Sequence, residues 1–337
     1  MTLIDAIYIH DLGGKLLLQY FIDKLEVKHL NKFYFLLDER IKLKNTPPNF
    51  SFLKASEKNR IFFYSNTKTK FSKIFCFANV PPPRKTKIET FIYFHNDLIL
   101  DTKKTKFSFK TKLIFSIKRF YIKRKNNKKY KWIVQTEYLK NKLADAIRID
   151  TKNIHVLPFY FDSFENKNLI RISNSFIYVS GFLPHKNHLN LIKAFIKVSH
   201  IFKNKIFLNL TIKPEDFNSL MTNFQSIPSN LSINNFGHLN REQINIAYEE
   251  NENLIFPSLK ESFGLPLIEA TLKGLNVICS NLDYVKDVVE PSFTFNPLEV
   301  DDISNSILKT LTLKEIKKPR LISYNKIDEI IKLLTSV

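Results

Sequence analysis

The chain has 337 residues, 44% of them hydrophobic, and a formal net charge of +20. That length supports two ordinary domains with sizeable cores, and with no run of about 18 apolar residues no transmembrane helix is expected. The two cysteines, Cys76 and Cys279, lie far apart in strand-like runs, which argues against a disulfide framework or a Cys-based metal site and fits a reducing cytoplasm.

From the N-terminus, "MTLIDAIYIHDLGG" lacks the basic-then-apolar layout of a signal peptide and reads as a strand followed by a Gly-Gly loop. Short apolar runs then alternate with helix-length segments. In the first half the strand candidates continue with "KFYFLLDE", "RIFFYSN", "KIFCFAN", "TFIYFHN", "WIVQT" and "IHVLPF". In the second half they are "SFIYVSG", "KIFLNLTI", "LSINNFG", "NLIFPSL", "LNVICSN" and "SFTFNP". Several are apolar on both faces, as strands of a parallel sheet are. Segments such as "HLNLIKAFIKVSHIF" and "NREQINIAYEEN" read as the intervening helices, so the fold class is α/β with parallel sheets. The strands are too many for one open sheet. The polar stretch over residues 160–175 divides them into a domain over 1–160 and a second over 175–320, leaving a C-terminal helix over 321–337 that can return to the first.

Charge divides at the same place. Residues 1–160 hold 33 Lys and Arg against 13 Asp and Glu, whereas residues 161–337 hold 19 of each. Codon bias alone would spread basic residues over both halves, so the basic half is expected to have an acidic partner. The six glycines are Gly13, Gly14, Gly181, Gly237, Gly264 and Gly274. Average usage of about 7% would give roughly four times as many, so these few mark places where a side chain would block a backbone or a ligand.

The most informative stretch is "NLIFPSLKESFGLPLIEATLKG". A buried strand is followed by a helix with Pro266 in its first turn and Gly274 as its stop. The backbone N–H groups of Phe263, Gly264 and Leu265 then lie at a helix N-terminus, a ready anion site, at the carboxyl end of a strand where open α/β sheets bind ligands. Glu261 and Glu269 flank the turn, and carboxylates suit the hydroxyls of a sugar and a ribose on either side of a diphosphate.

From Glu261 to Ala270 the sequence resembles the motif of the family 4 retaining glycosyltransferases of GT-B fold: a Glu, a Phe-Gly-Leu-Pro turn, and a second Glu followed by Ala. The resemblance extends through "FIYVSGFLPHKNHLNLIKAF", "NFGHLNREQINIAYEENENLIFPSLKESFGLPLIEA" and "VICSNLDYVKDVVE", and more loosely through "DLGGK", "FHN" and "VQTEYLKNKL". It implies two Rossmann-like domains with parallel sheets facing a central cleft, an acceptor-binding first domain and a donor-binding second one. By this resemblance Glu269 holds the ribose hydroxyls, Glu261 contacts the donor sugar, and the amides of Phe263, Gly264 and Leu265 meet the diphosphate. Lys186, in "SGFLPHKNH" after Gly181, neutralises the departing diphosphate. Phe182 stands where many members carry Arg, which removes one phosphate cation. Gly237 belongs to the loop near the base, Gly13 and Gly14 to a Gly-rich loop over the donor phosphates, and His95 to the group that places the donor sugar and stabilises developing positive charge. His185 and His188 read as packing or surface residues.

The implied activity is transfer of a sugar from a nucleotide diphosphate-sugar to a hydroxyl of a glycan, lipid-linked, in bacterial surface polysaccharide or lipopolysaccharide synthesis, with no metal and no other cofactor. The stretch 102–131 holds 13 Lys and Arg and no acid, interleaved with aromatic and aliphatic residues. That composition suits a segment lying on an anionic membrane surface, with Lys118, Arg119, Lys123 and Arg124 as docking cations and a peripheral location at the inner face of the cell membrane. The basic half also fits a nucleic-acid-binding protein, but it has no recognised binding motif, so no nucleic-acid partner is expected. Phe182 leaves open an inactive glycosyltransferase-like scaffold.

Overall fold

The computed structural model describes residues 1–25, 27–67, 70–101, 107–162 and 170–336. Residues 102–106 of the basic stretch and 163–169 of the expected linker lie outside them. The chain forms two compact units, one of Met1–Lys103, Ser108–Phe161 and Tyr324–Val337, the other built mainly of Asp162–Ser323.

The first unit contains a seven-stranded sheet. Its strands are β1 (Thr2–Ala6), β2 (Phe33–Asp38), β3 (Phe50–Leu53), β4 (Lys73–Cys76), β5 (Glu89–Tyr93), β6 (Lys131–Val134) and β7 (Ile154–Val156). They pair in the order β3-β2-β1-β4-β5-β6-β7, parallel throughout. The second unit has β8 (Ile172–Tyr178), β9 (Ile206–Leu210), β10 (Leu231–Asn235), β11 (Asn251–Phe256), β12 (Asn276–Ser280), β13 (Val289–Glu290), β14 (Phe293–Phe295) and β15 (Arg320–Leu321). Six of these form a parallel sheet in the order β10-β9-β8-β11-β12-β14, and β13 and β15 make a small antiparallel pair. Both large sheets have the Rossmann order, with a switch point where β1 meets β4 and where β8 meets β11. The α/β fold class with two parallel Rossmann-like sheets is as expected.

Three sequence expectations are corrected. "RIFFYSN" is not a strand but part of the helix Glu57–Thr67. Its buried residues, Arg60 and Tyr64, are four apart, one turn of helix. Ser56 Oγ accepts from the Asn59 N–H at its start, and Phe62 points outward, 69% exposed. The missing strand is instead the half-exposed edge strand β3. Gly13 and Gly14 are not a loop: they open the helix Leu12–Lys24, and the turn after β1 is made by residues 7–11. The expected linker also overlaps β8, which begins at Ile172.

The first unit is closed by its own distant residues. The helix Ile327–Thr335 ends against the amino ends of β1 and β4. Thr2 Oγ1 donates to the Leu334 carbonyl at 2.9 Å, and Lys73 Nζ to the carbonyls of Leu333 and Ser336 at 2.8 and 2.7 Å. A cation at a helix C-terminus satisfies carbonyls that have no partner within the helix.

Deeper in the same unit Arg60 is fully buried. Its Nε lies 2.8 Å from Asp5 Oδ2, its Nη1 donates to the Pro81 carbonyl at 2.8 Å, and Tyr64 donates to the same Asp5 oxygen at 2.7 Å. Burial works against the Arg60 charge, but Asp5 holds its pKa well above the ordinary value. Removing one partner of a buried ion pair leaves the other uncompensated, at a cost of about 3–5 kcal/mol. Arg60→Met is therefore expected to destabilise the chain by about that amount in urea unfolding, and a loss below about 1 kcal/mol would show that water or another cation reaches Asp5.

Candidate active site

The switch point of the second unit lies at the carboxyl ends of β8 and β11, where the chain leaves in opposite directions and opens a crevice. Two loops emerge there. The loop after β8 carries Gly181, which has no atom near its missing side chain, then the 3₁₀ turn Pro184–Lys186. The loop after β11 carries Ser258 and Glu261 and ends at Gly264, the N-cap of the helix Leu265–Leu272.

Hydrogen bonds stitch the two loops together. The Leu259 N–H donates to the His185 carbonyl at 2.8 Å. The Tyr178 hydroxyl donates to the Lys186 carbonyl at 2.9 Å and lies 2.8 Å from Ser258 Oγ. Tyr284 donates to the Ser258 carbonyl at 3.0 Å. Asn187, in the left-handed region with φ 60°, turns the chain into the helix His188–Ile201 and anchors it by donating to the Pro297 carbonyl at 2.7 Å. This frame brings together two of the sequence-derived residues: Lys186 Nζ lies 2.5 Å from Glu261 Oε1, each side chain about one-seventh exposed. The ammonium also sits 5.9 Å from the centroid of the Phe256 ring, a cation–π distance.

Gly264 has φ +81°, and a Cβ there would meet Leu267 Cδ1 at 3.0 Å, so glycine alone fits without strain. Phe263 is buried, and the helix starts at Leu265 with Pro266 in its first turn. Gly274, φ +71°, follows the helix as its stop. Gly237, also at φ +71°, turns the chain just after β10.

Glu269 belongs to a different network from Glu261. It is 7% exposed. Its Oε1 accepts from the Arg241 guanidinium and its Oε2 from the Tyr248 hydroxyl at 3.0 Å. Sequence reasoning passed over Arg241 and Tyr248. The signal for Arg241 was present: it is a cation in the first position of a helix, Arg241–Glu250, where the helix dipole disfavours one. Phe182 packs beside His188, ring centroids 5.4 Å apart, and supplies no charge.

In the first unit, Gly14 and His95 come together. A Cβ on Gly14 would lie 3.1 Å from Ile9 Cδ1, a tight approach, and 3.6 Å from His95 Cε1, an ordinary contact distance. His95 follows β5, stacks on Tyr93 at 5.2 Å, and is fixed by Asn79, which accepts from the His95 N–H at 2.7 Å and contacts its Nε2 at 3.2 Å. Desolvation lowers the His95 pKa to about 4, so its ring is neutral at pH 7. Asn79, itself at φ 67°, was not singled out from the sequence.

Residues 161–328 match the family model described as Glycosyl transferases group 1. That stretch coincides with the second unit, Asp162–Ser323. An O-antigen chain mannosyltransferase B of Escherichia coli is 35% identical over 80 residues, 23% of this chain and 21% of that protein. O-antigen chain mannosyltransferase RfbU of Salmonella typhimurium is 26% identical over 167 residues, 48% of this chain and 45% of its own. The chain thus spans less than half the length of these curated relatives. Among solved structures, Anabaena Alr3699/HepE in complex with UDP and glucose superposes with a TM-score of 0.66 at 14% identity, covering 99% of this chain and 95% of that one. The likeness establishes the GT-B fold.

His185 and His188 are buried beside this site, not on the surface. Burial lowers their pKa values to about 4 and about 3. Between those values and about 6.5 an unfolded chain takes up protons that the folded one refuses, so stability rises with pH across that window and is lost on acidification. The melting temperature should therefore fall steadily from pH 6.5 to 4, and His188→Gln should flatten that slope. An unchanged slope would mean that groups other than His188 set it.

Proposed function

We propose that the chain is a retaining glycosyltransferase that moves a sugar from a nucleoside diphosphate-sugar to a hydroxyl of a lipid-linked glycan in surface polysaccharide or lipopolysaccharide synthesis. The observation that carries this reading is the Lys186–Glu261 pair at the switch point of the second sheet, beside the Gly264 helix start.

A departing diphosphate develops negative charge while the sugar becomes cationic. Lys186 is held at its backbone by Tyr178 and at its ammonium by Glu261, so its charge is in place before reaction, the condition under which such a group lowers a barrier. The amides at Phe263, Gly264 and Leu265 add the positive end of a helix. Glu261 offers a second oxygen to sugar hydroxyls, and Glu269 takes the ribose. This assigns the phosphate charge to protein groups with no cofactor. The first unit would read the acceptor, and His95 and Gly14 lie together within it. The mannosyltransferase relatives make a hexose the first donor class to try, and the UDP bound to Anabaena HepE makes UDP-sugars a second.

Lys186→Ala should lower kcat/KM by on the order of 10²–10³, the usual loss on removing one preorganised stabilising group. A loss under about threefold would assign the diphosphate to another cation. The donor itself is found by a thermal-shift panel of nucleotide-sugars, because binding raises apparent stability according to concentration over Kd; no shift with any donor would sink the reading.

The site of work is proposed to be the inner face of the cell membrane, with the chain docked by its basic helix Phe109–Lys125. Phe109, Leu113, Ile117 and Phe120 fall on one stripe of that helix at 83%, 49%, 59% and 66% exposure, while Ile122 faces the core. Lys118, Lys123 and Arg124 are exposed around them, and Arg119 is partly drawn in, donating to the Leu100 carbonyl at 2.8 Å. An apolar stripe with cations beside it, on a helix too polar to span, suits an anionic lipid surface. Each cation there contributes about 1 kcal/mol. The chain should sediment with vesicles of anionic lipid at low salt and be released at high salt. Charge reversal at Lys118, Lys123 and Arg124 should abolish this. Equal binding to neutral vesicles would point to a different surface.

A further inference from the structure

We propose that Arg241 is the positioning residue of the donor site: with Tyr248 it holds the Glu269 carboxylate in the orientation that receives the two hydroxyls of a ribose. The inference rests on the reading above that Glu269 meets the nucleoside.

Glu269 projects from the helix Leu265–Leu272, and both of its oxygens are engaged from the helix Arg241–Glu250. Arg241 and Tyr248 are seven apart, two turns of helix, and so share the face that meets Glu269. A carboxylate has about four acceptor positions, two per oxygen. One position on Oε1 is taken by the guanidinium and one on Oε2 by the phenol. What remains is one acceptor position on each oxygen, the number that the two hydroxyls of a vicinal diol require. A carboxylate free to rotate would offer the same atoms without that fixed direction.

The local sequence supports a purpose beyond the helix. Asn240 and Gln243 already cap its start through reciprocal bonds of 3.0 and 2.9 Å. Glu242 supplies the favourable first-turn charge. Arg241 opposes the dipole, so its place is explained by what its guanidinium reaches. Tyr248 is fully buried. Desolvation and the nearby Glu269 charge raise its phenol pKa well above the ordinary value, so it stays a donor to Glu269 at any working pH.

The test measures discrimination, since a purely structural residue would move all ligands alike. Calorimetry compares UDP and GDP with their 2′,3′-dideoxy counterparts. The unaltered chain should prefer the ribose form of its nucleotide by about tenfold or more, the scale of hydrogen bonds to a charged group. Glu269→Gln should erase most of that preference. Arg241→Gln and Tyr248→Phe should each bring it to within about threefold of unity, with the Kd for the dideoxy form unchanged, and Arg241→Lys should restore part of it. Tyr248→Phe carries the test if Arg241→Gln does not fold. If Glu269→Gln erases the preference and a folded Arg241→Gln keeps it, or weakens both nucleotides equally, the positioning role is overturned while the function stands. If the unaltered chain binds no nucleotide, or binds both forms alike, the reading of Glu269 falls and this inference with it.

Discussion

A parallel sheet cannot turn back through a hairpin. Each strand must be followed by a crossover of a dozen or more residues, and with right-handed crossovers a reversal of travel across the sheet places the helices that follow on its opposite face. Both large sheets of this protein make that reversal between their first and fourth strands. The crevice at the reversal is therefore dictated by connectivity before any catalytic residue is chosen. Lys186 and Glu261 sit in the two loops that leave β8 and β11, and the crevice is what brings residues 75 positions apart to 2.5 Å. In the first unit the same geometry sets Asp5 and Cys76 opposite each other in β1 and β4, but there the cations turn inward. Arg60 reaches Asp5 beneath the sheet's surface, and burial pushes the Cys76 thiol up to about 12, so this cluster is structural.

The two units thus use charge differently. Arg60 and Asp5 are sealed in, and their pairing specifies how the helix Glu57–Thr67 docks. Lys186 and Glu261 remain in contact with solvent and are held by backbone contacts on both sides. A sealed pair gives rigidity and little else. A pair at the rim of a crevice keeps its charges oriented yet able to share them with a ligand, because each group has hydrogen-bonding capacity left over.

The second unit was legible in detail because its elements announce themselves locally. "NLIFPSL" is apolar on both faces, Gly264 and Pro266 mark the helix start, and Gly274 marks its end. The first unit was less so. In "RIFFYSN" the run of Phe and Tyr has strong β preference, and what overrides it is a long-range contact, Arg60 to Asp5 across 55 residues, that no local pattern contains. The edge strand β3 was missed for the opposite reason: with Phe50 and Phe52 outward and only half-buried neighbours, it shows no inward apolar face. At the site, residue types that carry chemistry could be named from motif spacing. Their partners could not. Arg241, Tyr248 and Asn79 come from other elements, and only tertiary packing decides that they meet Glu269 and His95.

The helix Ile327–Thr335 completes the first unit although the whole second unit lies between it and the rest of that fold. Thr2 and Lys73, at the amino ends of the two central strands, wait for carbonyls contributed more than 250 residues later. During synthesis the ribosome releases the main body of the second unit, Asp162–Ser323, as one stretch, so that unit can fold on emergence, ahead of the unit whose strands were made first. The order of assembly then inverts the order of translation. The seven-stranded sheet spends the interval with the foot of its central strands uncovered, which makes it the stretch of this protein with the greatest need of a chaperone's shelter.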